Sequence, residues 1–135
     1  MPLARIDLPA GKTAEYHSAV GDTVYQAMIR VLNVPKDDRF QVISEHSVAD
    51  LVIDANYLGI HRSAEAIVIQ VTLNEGRPVE MKRAFYKAVA DGLHERLGLR
   101  REDVVISLVE VKKENWSFGN GEAQYAQAPG AAVVK

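Results

Sequence analysis

Residues 67–73, Ile67-Val68-Ile69-Gln70-Val71-Thr72-Leu73, form the clearest β-strand in this 135-residue chain. Gly76-Arg77-Pro78 follows, with a proline placed to open a helix at its first position. Met81, Phe85, Val89, Leu93 and Leu97 then recur at helical spacing, and Gly98 supplies the C-terminal stop. Residues 104–111 read as the next strand. Strand, helix and strand in this order make a right-handed unit whose two strands run parallel.

Sixty-five positions upstream the same plan is written again. Leu8 matches Leu73, Gly11 matches Gly76, Glu15 matches Glu80 and Val24 matches Val89 without a gap. The offset continues through Leu32 and Leu97, Asp38 and Asp103, and Glu45 and Glu110. The upstream copy opens on the strand Met1-Pro2-Leu3-Ala4-Arg5-Ile6-Asp7-Leu8, in which Ala4, Ile6 and Leu8 share one face. Thr13 is its helix N-cap, Tyr16, Val20, Val24, Ala27 and Val31 form the apolar stripe, and Asn33 and Pro35 supply the stop. Phe40-Gln41-Val42-Ile43-Ser44 is its second strand. The fold class is therefore α+β: two β-α-β units, about 2–46 and 67–111, in a four-stranded mixed sheet with both helices on one face. The opposite face, carrying Ala4, Ile6 or their neighbours, needs a cover, and oligomerisation is the simplest one. Residues 1–126 read as one domain and 127–135 as a mobile tail. Between the units, residues 50–63 read as a long surface loop with a strand-like piece.

Composition narrows the function. A formal net charge of −2 gives a polyanion no purchase, so nucleic acid is not an expected partner. The absence of cysteine removes disulfides, thiolate catalysis and cysteine-bound metals together. No apolar run reaches membrane-spanning length and no signal-peptide core opens the chain, which points to the cytoplasm. His17, His46, His61 and His94 have no metal-ligand spacing, and neither a phosphate loop nor a serine elbow is present. No cofactor and no metal are expected.

Chemistry concentrates at one rim. Trimming of Met1 before the small residue Pro2 would leave a secondary amine at the end of a strand. A free α-amino group titrates at ~7.7–8.0, nearer neutrality than any lysine, and partial burial lowers it further. If the two units meet antiparallel, Pro2 shares a sheet edge with Asp38, Arg77 and the segment Trp116-Ser117-Phe118-Gly119. Arg77, just before a helix start, suits a carboxylate substrate; it also reads as a solvated surface arginine, since Lys12 holds the equivalent repeat position. Asp38 reads equally as a site acid or as part of the turn entering its strand, because Asp103 matches it. Trp116 and Phe118, followed by the turn signal Asn120-Gly121, read either as a pocket wall or as anchors of the C-terminal segment.

Together these residues resemble the tautomerase superfamily, and more narrowly its malonate semialdehyde decarboxylase-like branch. The resemblance runs from Pro2 to about Tyr125. Its local marks are Val34-Pro35-x-x-Asp38-Arg39-Phe40-Gln41, Gly76-Arg77-x-x-Glu80-x-Lys82, Phe85-Tyr86-Lys87, Glu102-Asp103-Val104 and Trp116-Ser117-Phe118-Gly119. The resemblance implies a cofactor-independent homotrimer with Pro2 as the catalytic group, Asp38 orienting substrate or water, and Arg77 gripping a small carboxylate-bearing substrate. It implies that Trp116 and Phe118 bind substrate as pocket walls. The expected activity is enol–keto proton transfer on a small 2-oxo acid. Alternatives are decarboxylation of malonate semialdehyde, hydration of haloacrylates, and a non-catalytic trimeric module that binds a small acid or a protein. One departure matters: Glu75 stands where the decarboxylase has the first arginine of an Arg-x-Arg pair.

Overall fold

Alternation along the strands decides which layer each side chain joins. In the computed structural model, which describes residues 2–126, β1 (Leu3–Pro9) buries Ala4, Ile6 and Leu8. Met1 and 127–135, on which the expected trimming and the expected mobile tail fall, lie outside the described residues. β3 (Ile67–Asn74) buries Ile67, Ile69, Val71 and Leu73 in the same way. These seven residues meet the helices and form one core with Val20, Val24, Phe85, Val89 and Leu93. The sequence puts either Ala4 and Ile6 or their neighbours on the uncovered face. The second alternative holds: the even-numbered residues of β1 are core, and their neighbours Leu3, Arg5 and Asp7 take the open side.

The sheet order is β2-β1-β3-β4, with β2 spanning Phe40–His46 and β4 spanning Val104–Val111. β1 pairs parallel with β2 and β3 parallel with β4, while β1 and β3 meet antiparallel in the centre. Across the four strands, Ile43, Ile6, Ile69 and Ile106 lie in one row facing the helices. The open face carries Val42, Val68, Val105 and Val109, of which Val42 and Val109 are well exposed.

Helix α1 (Ala14–Leu32) starts where Thr13 Oγ1 accepts the Tyr16 N–H at 3.1 Å, and it stops at Asn33 in the left-handed region, φ 57°. Helix α2 (Val79–Leu97) starts one residue later than the proline suggested. Pro78 is its N-cap, where a residue without an N–H leaves no further donor unpaired. Gly98, φ 66°, ends it by donating to His94 O at 2.9 Å. The two helices touch where Gly92 faces Thr23: a Cβ on residue 92 would stand 2.7 Å from Thr23 Cγ2.

The repeat extends to single contacts. Glu45 accepts from the Gly11 and Lys12 N–H groups, at 3.1 and 2.9 Å, with His17 Nε2 at 2.7 Å. Its mate Glu110 accepts from the Gly76 N–H at 3.3 Å and Lys82 Nζ at 2.6 Å. Between the units the strand-like piece is absent; residues 47–66 form a loop with one short 3-10 turn, Tyr57–Gly59. Arg62 holds that loop, its Nη1 donating to Asp54 O at 3.1 Å and Tyr57 O at 3.3 Å.

Candidate active site

Because β1 and β3 run antiparallel, the start of one adjoins the end of the other. Leu3 pairs with Thr72, which puts Pro2 at the edge where β3 ends in Asn74. Leu3 also pairs with Phe40, so the entry to β2, with Asp38, reaches the same edge. β4 delivers Val111 and then the segment holding Trp116 and Phe118. The fold thus gathers the five residues singled out in the sequence at one end of the sheet.

Asp38 is 7% exposed, and neither carboxylate oxygen has a hydrogen-bond partner among the described residues. Its backbone N–H donates to Pro35 O at 3.2 Å, closing the turn. Burial pushes the Asp38 carboxyl above the usual carboxylate range, and the positive charge of the N-terminus pulls the other way. The Asp38 charge also reaches the Tyr125 phenol, whose pKa is raised first by burial and then by that charge. Pro2 is buried.

Arg77 lies at this edge, half-buried, with its fork turned onto the backbone. Nε and Nη2 both donate to Leu32 O, at 3.0 and 2.9 Å, and Nη1 donates to Asn74 O at 3.1 Å. Three of its five N–H groups are spent on these carbonyls. Burial lowers its pKa, opposed by the Glu110 charge. The reading of a simple solvated arginine is therefore excluded by geometry: the side chain ties the end of α1 to the end of β3.

Aromatic rings pack beside these groups. Phe118 stacks on Trp116 with centroids 5.3 Å apart and planes 14° apart, and it meets Tyr125 edge-on at 5.3 Å. Phe40 closes the group at 5.9 Å from Phe118. Trp116 Nε1 donates to Asn74 Oδ1 at 2.7 Å, which fixes the indole. The turn Gly119–Glu122 behind them has φ 61° at Asn120 and 68° at Gly121, as the Asn-Gly signal predicts. A cavity of about 480 Å³ opens here, lined by Asn74, Glu75, Val111, Lys112, Lys113 and Tyr125 among others. None of Pro2, Asp38, Arg77, Trp116 and Phe118 lines it in the single chain.

Comparison with known proteins gives this edge a lineage. A family described as "Tautomerase enzyme" matches residues 38–119, and a second with the same description matches residues 2–59. The probable tautomerase YusQ of Bacillus subtilis (strain 168) is 41% identical over 92% of this chain and 98% of its own. The chain belongs to the tautomerase family. A second probable tautomerase of that strain, YrdN, is 34% identical over 93% of this tautomerase and 96% of its own length. Among solved structures, FG41 malonate semialdehyde decarboxylase inhibited by 3-bromopropiolate superposes with a TM-score of 0.85 and 36% identity, covering 91% of this chain and 93% of that one. Another malonate semialdehyde decarboxylase, described with decarboxylase and hydratase activities, gives 0.83 and 33%, over 90% and 94%. This protein is thus an enzyme of the tautomerase fold, with a four-stranded mixed sheet and two helices.

Reading the sequence missed three members of this edge: Phe40, Asn74 and Tyr125. Phe40 was assigned to its strand without a partner, and only the register with Leu3 shows which ring it meets. Asn74 and Tyr125 carry no spacing signal; Asn74 gains its part from the Trp116 bond across 42 residues of chain, and Tyr125 from its ring contact with Phe118. Among the described residues no group of three or more His, Cys, Asp or Glu side chains could hold a metal ion.

Proposed function

We propose that this protein is a cofactor-independent tautomerase acting on a small 2-oxo acid through the amine of Pro2, freed by removal of Met1. The neutral amine takes the enol O–H proton as the carbonyl forms, and a proton is returned to the neighbouring carbon. Asp38 orients the substrate and holds the amine's charge, and Arg77 offers its two remaining N–H groups to the substrate carboxylate. Trp116 and Phe118 form the apolar wall. The observation that carries this reading is Asp38: a carboxylate 7% exposed with no hydrogen-bond partner among the described residues costs stability and calls for a functional reason.

Decarboxylation is the second reading, favoured by the likeness to two malonate semialdehyde decarboxylases at 36% and 33% identity. Glu75 argues against it as the main activity. It lines the 480 Å³ cavity at this edge, and an anion there would repel a substrate carboxylate rather than bind it. Enol–keto transfer asks for one positioned base and one carboxylate grip. We assign the assembly as a homotrimer, since a fused 4-OT of this fold is a symmetric trimer and the open sheet face presents Val42 and Val109. Among the described residues no helix is long and apolar enough to cross a membrane, and we place the enzyme in the cytoplasm.

The test combines intact mass with an assay on phenylenolpyruvate. The purified protein should lack Met1, and Pro2→Ala should lose about 10²-fold or more in kcat/KM. Unchanged turnover in Pro2→Ala removes the proline from the mechanism.

A further inference from the structure

The internal repeat duplicates the site's cavity as well as its fold. At the opposite end of the sheet a cavity of about 490 Å³ opens between the ends of β1 and β2 and the loop 47–66. Its lining follows that of the Pro2-edge cavity at the same offset of 65: Pro9 stands for Asn74, His46 for Val111 and Val48 for Lys113. Leu51 and Ile53, also in its wall, occupy the positions of Trp116 and Phe118. Two cavities in one chain therefore descend from one design.

The second copy has lost the means for chemistry. Ile67 takes the repeat position of Pro2, and its nitrogen is an interior amide of β3. Asp103 takes the position of Asp38 and is fully buried, but it is satisfied by the Ser63 N–H at 2.7 Å and the Ser63 hydroxyl at 2.5 Å. Arg100 Nη1 adds a charge at 3.9 Å. At these two repeat positions the described residues offer neither a terminal amine nor an unpartnered acid.

What remains is a binding surface of a definite kind. Val48, Leu51, Val52 and Ile53 make its wall apolar, and Arg62 and His46 supply the polar corner. Arg62 is pinned through Nη1, while its Nε is buried without a partner among the described residues. His46 holds Asp7 through Nε2 at 2.6 Å, leaving Nδ1 for another group. The Nη2 end of this preorganised cation makes no hydrogen bond among the described residues, and next to an apolar wall it matches a carboxylate attached to an apolar body. We propose that this cavity is a second, non-catalytic site for a small monocarboxylate with an apolar body. The proposal does not depend on the role of Pro2.

The test uses the full-length protein, labelled with 15N and titrated with phenylacetate, against phenethylamine as the cationic counterpart. Expected are saturable shifts of the Val52 and Ile53 amides by phenylacetate only, with Kd of about 1 mM or tighter. Leu51→Trp, which installs the second unit's own residue, should abolish them, and Arg62→Gln should weaken them at least about tenfold, the value of a charged hydrogen bond. Enol turnover should stay at the wild-type level in both variants. Absence of saturable shifts in the wild type, equal binding of phenethylamine, or binding unaffected by both substitutions overturns the proposal. Loss of enol turnover in the wild type would strike the Pro2 mechanism and leave this site standing.

Discussion

Arg77 grips Leu32 through a fork: Nε and Nη2 both donate to the one carbonyl, at 3.0 and 2.9 Å. Leu32 is the last residue of α1, so the arginine caps a helix end whose carbonyls lack partners in the helix itself. Arg77→Ala should therefore lower stability by about 1–3 kcal/mol by orphaning that carbonyl. It should also raise KM for an enol acid. Lysine cannot form the fork, so Arg77→Lys should recover little of the stability. Thermal unfolding and steady-state kinetics on the same preparations separate the two effects. A variant with full stability and raised KM would confine Arg77 to substrate.

Asp38 should show the opposite sign of effect. Burial holds its folded-state pKa above the unfolded value, so the folded chain binds that proton more tightly. Its contribution to stability is fully present below the unfolded value, ~3.9, and is lost as pH rises through the folded one. Asp38→Asn should accordingly be more stable than wild type at neutral pH, with the advantage gone below about pH 4. Its activity should fall, and its pH–rate profile should move to lower pH, because a nearby negative charge no longer favours the protonated amine. Denaturant titrations at pH 4 and pH 7, with rate profiles, check both.

Phe118 is the hub of the aromatic group, touching Phe40, Trp116 and Tyr125. Phe118→Ala should raise KM by about tenfold or more, the usual value of a lost apolar pocket contact, with a smaller change in kcat. A fall in kcat at constant KM would place the ring against the reacting atoms instead.

The contact between Gly92 and Thr23 tests the helix layer without touching the site. A Cβ at residue 92 would meet Thr23 Cγ2 at 2.7 Å, on a stiff β-branched side chain. Gly92→Ala should cost about 1–3 kcal/mol from overpacking, more than the ~1 kcal/mol that alanine returns in helix propensity. Thr23→Ser removes the obstructing methyl and keeps the hydroxyl that donates to Ala19 O at 2.7 Å. In that background Gly92→Ala should become stabilising. A double-mutant cycle by chemical denaturation reads the change of sign.

Much of the architecture was legible because it is written in local periods. The stripe through Phe85, Val89 and Leu93 and the alternation through Ile67, Ile69 and Val71 each commit a segment to one helix or strand. The 65-residue offset then orders the strands, and the register places Pro2, Asp38 and Trp116 at one edge. Arg77 was legible as to place and not as to partner. Its distance in sequence from Leu32 hides a bond that exists only once α1 lies on β3.

Asp38 and Asp103 mark the boundary between the two kinds of information. They are the same residue at the same repeat position, and no pattern in the chain tells them apart. Local spacing, helix stops and the repeated unit follow from the chain alone, since neighbouring residues set them. Which acid is left unpartnered among the described residues, which arginine donors are spent, and which of two related cavities lies at the Pro2 edge depend on segments brought together by packing. Ser63 reaches Asp103 across 40 residues of chain, and no described residue does the same for Asp38.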